Sequence, residues 1–136
     1  MSDAVKAGII YSLLVFLVAA MLGSIRQTLL VPWFGTVTAV MIELPIVLAI
    51  AWNVCGIVLK NIPVDAAVGP RLIMGATALA CVLLEEMALA TLAFGQSFAT
   101  FAGQYLTLPG LMGLAGQVVF ALIPLVRRVT PQPFGD

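Results

Sequence analysis

A chain of 136 residues that is 62% hydrophobic and only 9% charged cannot cover a water-facing exterior, since soluble domains carry about 25% charged residues. Its formal net charge is zero and it has no histidine. That excludes the basic footprint of a nucleic-acid binder and removes the commonest transition-metal ligand. The expectation is an all-α polytopic membrane protein, a single domain of four transmembrane helices with the lipid bilayer as its surroundings.

The first span is expected over about 7–31. Only Asp3 and Lys6 lie ahead of its apolar run. Val18-Ala19-Ala20 loosely matches a signal-peptide exit, but the run is long for a cleaved leader and reads as a retained span. Gly23 and Ser24 are tolerated in membrane helices, so the helix continues past Arg26 until Pro32 starts a turn. Trp33 and Phe34 in that turn suit the headgroup level.

The second span is expected over about 36–59 and contains Glu43, Pro45, Trp52 and Asn53. Proline cannot donate to the carbonyl four residues back, so a kink at Pro45 is expected within a turn of Glu43. Lys60 closes the span, and a loop through Pro63 and Asp65 leads to Pro70-Arg71. The third span, about 71–94, carries the adjacent acids Glu85 and Glu86 inside an apolar run. A neutral loop, Gly95 to Gly103, precedes the fourth span, about 104–126, in which Gly110, Gly113, Gly116 and Gln117 form a face that admits close helix approach. Arg127-Arg128 ends it, and Thr130 to Asp136 form a frayed tail. Cys55 and Cys81 fall in apolar runs and read as packing residues.

Basic residues set the orientation. With the N-terminus in the cytoplasm, that side holds Lys6, Lys60, Arg71, Arg127 and Arg128, and the other holds only Arg26. Five against one places both termini inside.

Depth can be counted inward from the outer helix ends at about 1.5 Å per residue. Arg26 falls about 7 Å down, Glu43 about 10 Å, Glu86 about 12 Å, Glu85 about 14 Å and Gln117 about 20 Å. Arg26, Glu43 and Glu86 are therefore expected in one layer, with Gln117 deeper. A lone charge in a bilayer costs at least about 2.5–3.5 kcal/mol, so such groups pair, take up a proton or line water. Glu85 and Glu86 are neighbours in sequence, about 100° apart around a helix, and must face different partners.

Two functions follow from this cluster. One is a proton- or ion-coupled transporter or channel-like protein in which the acids exchange protons or cations, Arg26 holds a countercharge and Pro45 hinges. The other is a noncatalytic membrane subunit or assembly protein whose buried charges fix helix packing. Four helices enclose little interior, so a homodimer or a larger membrane complex is the natural way to bury polar faces. Ser12, Ser24 and Ser97 lack a histidine base, and no phosphate-binding glycine loop precedes a helix. A membrane-embedded enzyme is a distant third reading: a pair of acids at membrane depth can cut peptides in principle, but Glu85 and Glu86 sit side by side on one helix rather than facing one another. No metal or cofactor is expected.

The pattern Gly23-x-x-Arg26-x5-Pro32-x-x-Gly35, continuing to Glu43-x-Pro45, resembles that of a family of small four-span bacterial inner-membrane proteins. The resemblance covers about the first half of the chain. It implies the fold and an inner-membrane location, and carries no activity across. By size and span count the chain is also similar to small multidrug resistance transporters, but its first span lacks the acid that is their hallmark. Small fluoride channels share the four-span layout and an arginine near a glycine, as in Gly23 and Arg26. Their pore asparagine and threonine-phenylalanine track are not matched here, with Phe94 and 97–101 a poor substitute.

Overall fold

The first helix starts where the sequence supplies a cap. In the structure, a computed structural model that describes residues 2–127, the Ser2 hydroxyl accepts the Val5 N–H and Asp3 stands in the first turn, both favourable at a helix N-terminus. Helix α1 runs over Asp3–Ile25. Its buried residues, Ala4, Ala7, Gly8, Tyr11, Ser12 and Val15, recur every three or four positions and make a narrow stripe of mostly small side chains. Beyond Val15 the helix exposes Leu17, Met21 and Ile25.

The expected turn at Pro32 is not where the helix ends. A π turn over Arg26–Leu30 follows α1 directly, and α2 (Val31–Phe34) continues the helical path with Pro32 in its first turn. The Val31 N–H bonds five residues back, to the Arg26 carbonyl. This wider turn admits a proline that has no N–H to donate and whose ring crowds the preceding turn. The Thr28 hydroxyl donates to the Ser24 and Ile25 carbonyls of the same stretch. Gly35, at φ +82°, is what stops the helix, because a left-handed backbone suits a residue without Cβ. Trp33 is 82% exposed at this tip.

Helix α3 (Thr36–Asn61) stays continuous through Pro45. A short loop, held by the Asp65 side chain accepting the Ala67 N–H, leads to α4 (Val68–Ala88). Three residues after Glu85-Glu86, at Leu89–Ala93, the chain enters its second π turn and then stops at Gly95, φ +67°.

The segment expected as a loop is partly helical. It forms α5 (Phe98–Gly103), capped by Ser97, and a 3₁₀ turn over Gln104–Leu106. The last spanning helix, α6 (Leu108–Val126), therefore begins four residues later than expected, with Thr107 as its cap and Pro109 in its first turn.

Four helical stretches are long and apolar enough to cross a membrane: Asp3–Phe34, Thr36–Asn61, Val68–Ala93 and Leu108–Val126. No more than a third of each is buried, so their outward faces are apolar and uncovered. Among the described residues there is no strand. Around the bundle α1 packs on α3 and α4, and α6 packs on α4 and α3. At the centre Tyr11 stacks on Phe120 with ring centroids 4.4 Å apart, beside Ala51, Cys55, Met74 and Ala78.

Glycines set the helix spacing. A methyl group on Gly8 would fall 2.6 Å from the Met74 carbonyl oxygen, and one on Gly75 would collide with the Ala121 carbonyl. Of the three glycines expected to form one close-packing face on α6, only Gly116 meets another helix, at Leu44. Gly110 lies against the Gln104 carbonyl in the preceding turn, and Gly113 has nothing within 4 Å. The tail at 130–136 and Arg128 lie outside the described residues.

Candidate functional site

The polar groups inside the bundle form three separately bonded sets. In the first, Arg26 Nη1 donates to Glu43 Oε2 in a salt bridge about two turns below the Gly35 turn. Arg26 is the first residue of the π turn, and Glu43 is one of the buried residues of α3. The arginine side chain is 29% exposed and the carboxylate 10%. It is the only ion pair among the described residues. Pro45 lies two residues beyond Glu43 and is itself exposed.

The second set sits mid-bundle and is carried by the adjacent acids of α4. They diverge as their 100° separation requires. Glu85 turns to α1, where the Ser12 hydroxyl donates to Oε1 at 3.2 Å and shares its bond with the Ile9 carbonyl. Glu86 turns to α6 and to the segment before it. It accepts from Gln117 Nε2 and from the Tyr105 hydroxyl, the latter at 2.6 Å. One position from Ser12, the Tyr11 hydroxyl crosses to the Phe120 carbonyl at 2.8 Å. Two acceptors in this belt, Glu85 Oε2 and Gln117 Oε1, are buried and take no hydrogen bond from the described residues.

The third set closes the opposite end. Arg71, 4% exposed, donates from Nη1 to the Pro124 and Arg127 carbonyls and from Nε to the Asp65 carbonyl. A cation at these carbonyls satisfies groups that a helix C-terminus leaves unpaired, and it complements the helix dipole. Arg127 in turn donates to the Trp52 carbonyl and lies 5.0 Å over the Trp52 ring.

This arrangement divides the cluster expected from counting. Ser12 and Arg26 are fourteen residues apart on one continuous helical path, about 21 Å at the rise of a helix. Glu85 meets the first of these through its side chain, and Glu43 meets the second. No hydrogen bond or ion pair among the described residues joins the Arg26–Glu43 pair to the α4 acids. Gln117, expected well below Glu86, instead touches it. The fourth span starts at Leu108 rather than Gln104, which removes about 6 Å from that depth.

The sequence assigns no partner to Tyr11, Ser12 or Tyr105, and marks Arg71 only as one of the basic residues that set orientation. A signal for the first two was present in the recurrence of small and polar residues at Ala4, Ala7, Gly8, Tyr11 and Ser12. Comparison with protein-family models, curated proteins and solved structures finds no match. The site therefore rests on its own geometry.

Chemically, the mid-bundle belt offers carboxyl oxygens to hydroxyl and amide donors from other helices, and it fixes the register of α4 against α1 and α6. The two cavities of note lie elsewhere. One is a groove of about 410 Å³ between α3 and α6, lined by Leu48, Ala49, Trp52, Val119, Leu122, Ile123 and Val126. The other is a recess of about 230 Å³ among Ser2, Asp3, Pro63, Asp65 and Pro70.

Proposed function

We propose that this chain is a small integral membrane protein of four spans, with both termini cytoplasmic, acting as a noncatalytic membrane subunit or assembly protein. One observation carries the reading. Each charged side chain in the upper and middle bundle is engaged with another element: Arg26 with Glu43, Glu85 with Ser12, and Glu86 with Gln117 and Tyr105. In a bilayer apolar burial gives helices little reason to associate, and interhelical polar bonds supply part of the missing attraction. The orientation is supported by Lys6, Lys60, Arg71 and Arg127, which lie toward the ends of helices opposite the Gly35 turn. The resemblance over Gly23 to Pro45 supports a bacterial inner membrane as its location.

A second reading, a proton- or ion-coupled transporter or channel-like protein, is favoured by the bare acceptors Glu85 Oε2 and Gln117 Oε1. A carboxyl oxygen without a donor has capacity for a proton or a cation. Reconstitution into sealed vesicles separates the two. The first reading expects proton and alkali-cation flux no faster than in protein-free vesicles, and lowered detergent stability in Glu86→Leu. Flux that is present in the wild type and lost in a folded Glu85→Gln or Glu86→Gln variant would overturn it in favour of transport.

A further inference from the structure

On α3, Ile42, Ile46, Ala49, Asn53 and Ile57 recur at intervals of four, three, four and four residues, and all five are exposed. The isoleucines are 40, 46 and 57% exposed in that order. This is the spacing of a helix–helix seam, with Asn53 at a core position. Asn53 is out of keeping with a lipid-facing surface. Its amide donates one N–H to the Ala49 carbonyl of its own helix at 2.9 Å, and among the described residues its carbonyl oxygen takes no hydrogen bond. It lies eight residues before the end of α3, about 12 Å inside. The adjacent Trp52 carbonyl accepts from Arg127, whereas the short Asn53 side chain has no long stem with which to extend away from its helix.

We infer that this stripe docks a second copy of the chain, α3 against α3, parallel, about a two-fold axis passing near Asn53. A carboxamide holds both donor and acceptor. Across a two-fold axis each Asn53 therefore donates its remaining N–H to the other's carbonyl, and neither is left unpaired. The complementarity is between identical groups, which a second copy supplies without any further partner. A lone asparagine at a seam position also fixes register, because any slip strands both amides in apolar surroundings. Ala49, one turn away, lets the two backbones approach. The apolar groove between α3 and α6 shares Ala49 with the stripe and leaves room beside it for the partner's side chains.

The inference rests on α3 spanning a bilayer, and the experiment separates the two. Donor- and acceptor-labelled protein is co-reconstituted in phosphatidylcholine vesicles, washed with alkaline carbonate, and energy transfer is followed against protein-to-lipid ratio. The expected result is a dimer whose dissociation constant rises about tenfold or more in Asn53→Leu, the size of two interhelical hydrogen bonds of ordinary strength. Ala49→Leu raises it by steric block. Leu84→Ala, on an exposed face of α4, leaves it unchanged. Both seam positions are exposed in the single chain, so neither variant should disturb its fold. Protein retained in the vesicles but monomeric, or an Asn53→Leu variant that dimerises as tightly as wild type, overturns the inference alone. Protein removed by the carbonate wash overturns the spanning reading with it.

Discussion

Replacing Arg26 and Glu43 singly and together tests whether the pair fastens the tip of the bundle. Arg26→Met leaves a carboxylate that is 10% exposed facing no cation. Stranding a buried charge costs about 3–5 kcal/mol, and the partial exposure of the site argues for the lower end, about 3 kcal/mol. Glu43→Met strands instead an arginine whose side chain is already 29% exposed. Its long stem can carry the guanidinium outward, so the expected loss is about 1–2 kcal/mol. The double methionine variant leaves no charge behind and is expected within about 1 kcal/mol of wild type. It should therefore fall about 3–5 kcal/mol short of the sum of its parents, a coupling well outside the additivity of independent sites. Reversible unfolding in mixed detergent micelles measures all four proteins. Single variants that each lose less than about 0.5 kcal/mol, or a double variant equal to the sum of the singles, would refute the fastening role.

Gly75→Ala forces a methyl group into the Ala121 carbonyl where α4 meets α6 and is expected to cost about 1–3 kcal/mol. Gly113→Ala, with nothing within 4 Å of the added carbon, is expected to be neutral or stabilising by up to about 1 kcal/mol through helix propensity; the same micelle titration ranks the two. Arg71→Met deprives the Pro124 and Arg127 carbonyls of their donor and is expected to cost about 1–3 kcal/mol. Faster amide exchange over 120–127 relative to α1 should accompany that loss, and unchanged exchange there would count against the capping role.

The helices themselves were legible because each apolar run is bounded by glycine, proline or charge, and the expected spans overlap the observed ones throughout. What sequence could not deliver was the last turn at either end. Pro32 reads as a stop, yet a π turn ahead of it lets the helix run on to Gly35. The stretch from Gly95 to Gly103 reads as loop because it is neutral and bounded by glycines, yet Ser97 caps a short helix there. Errors of four residues at one end are enough to misassign side-chain partners, and Gln117 shows it: its proximity to Glu86 was hidden by the wrong starting point. Ser12 was hidden differently. One hydroxyl in an apolar run gives no sign of which helix it will meet. Arg71 looked like an orientation signal because it stands near a helix start, and nothing local to it encodes the end of a helix more than fifty residues later.

That last contact has a consequence for how the chain is made. Residue 71 is synthesised more than fifty residues ahead of residues 124 and 127, so until synthesis is nearly over its guanidinium lacks the two carbonyls it will finally hold. A three-helix nascent chain is thus left with an unfilled socket, and arrival of the final helix both fills that socket and closes the ring. Truncation a few residues too early would leave that socket without its two carbonyls while the Arg26–Glu43, Glu85–Ser12 and Glu86–Gln117 contacts could still form.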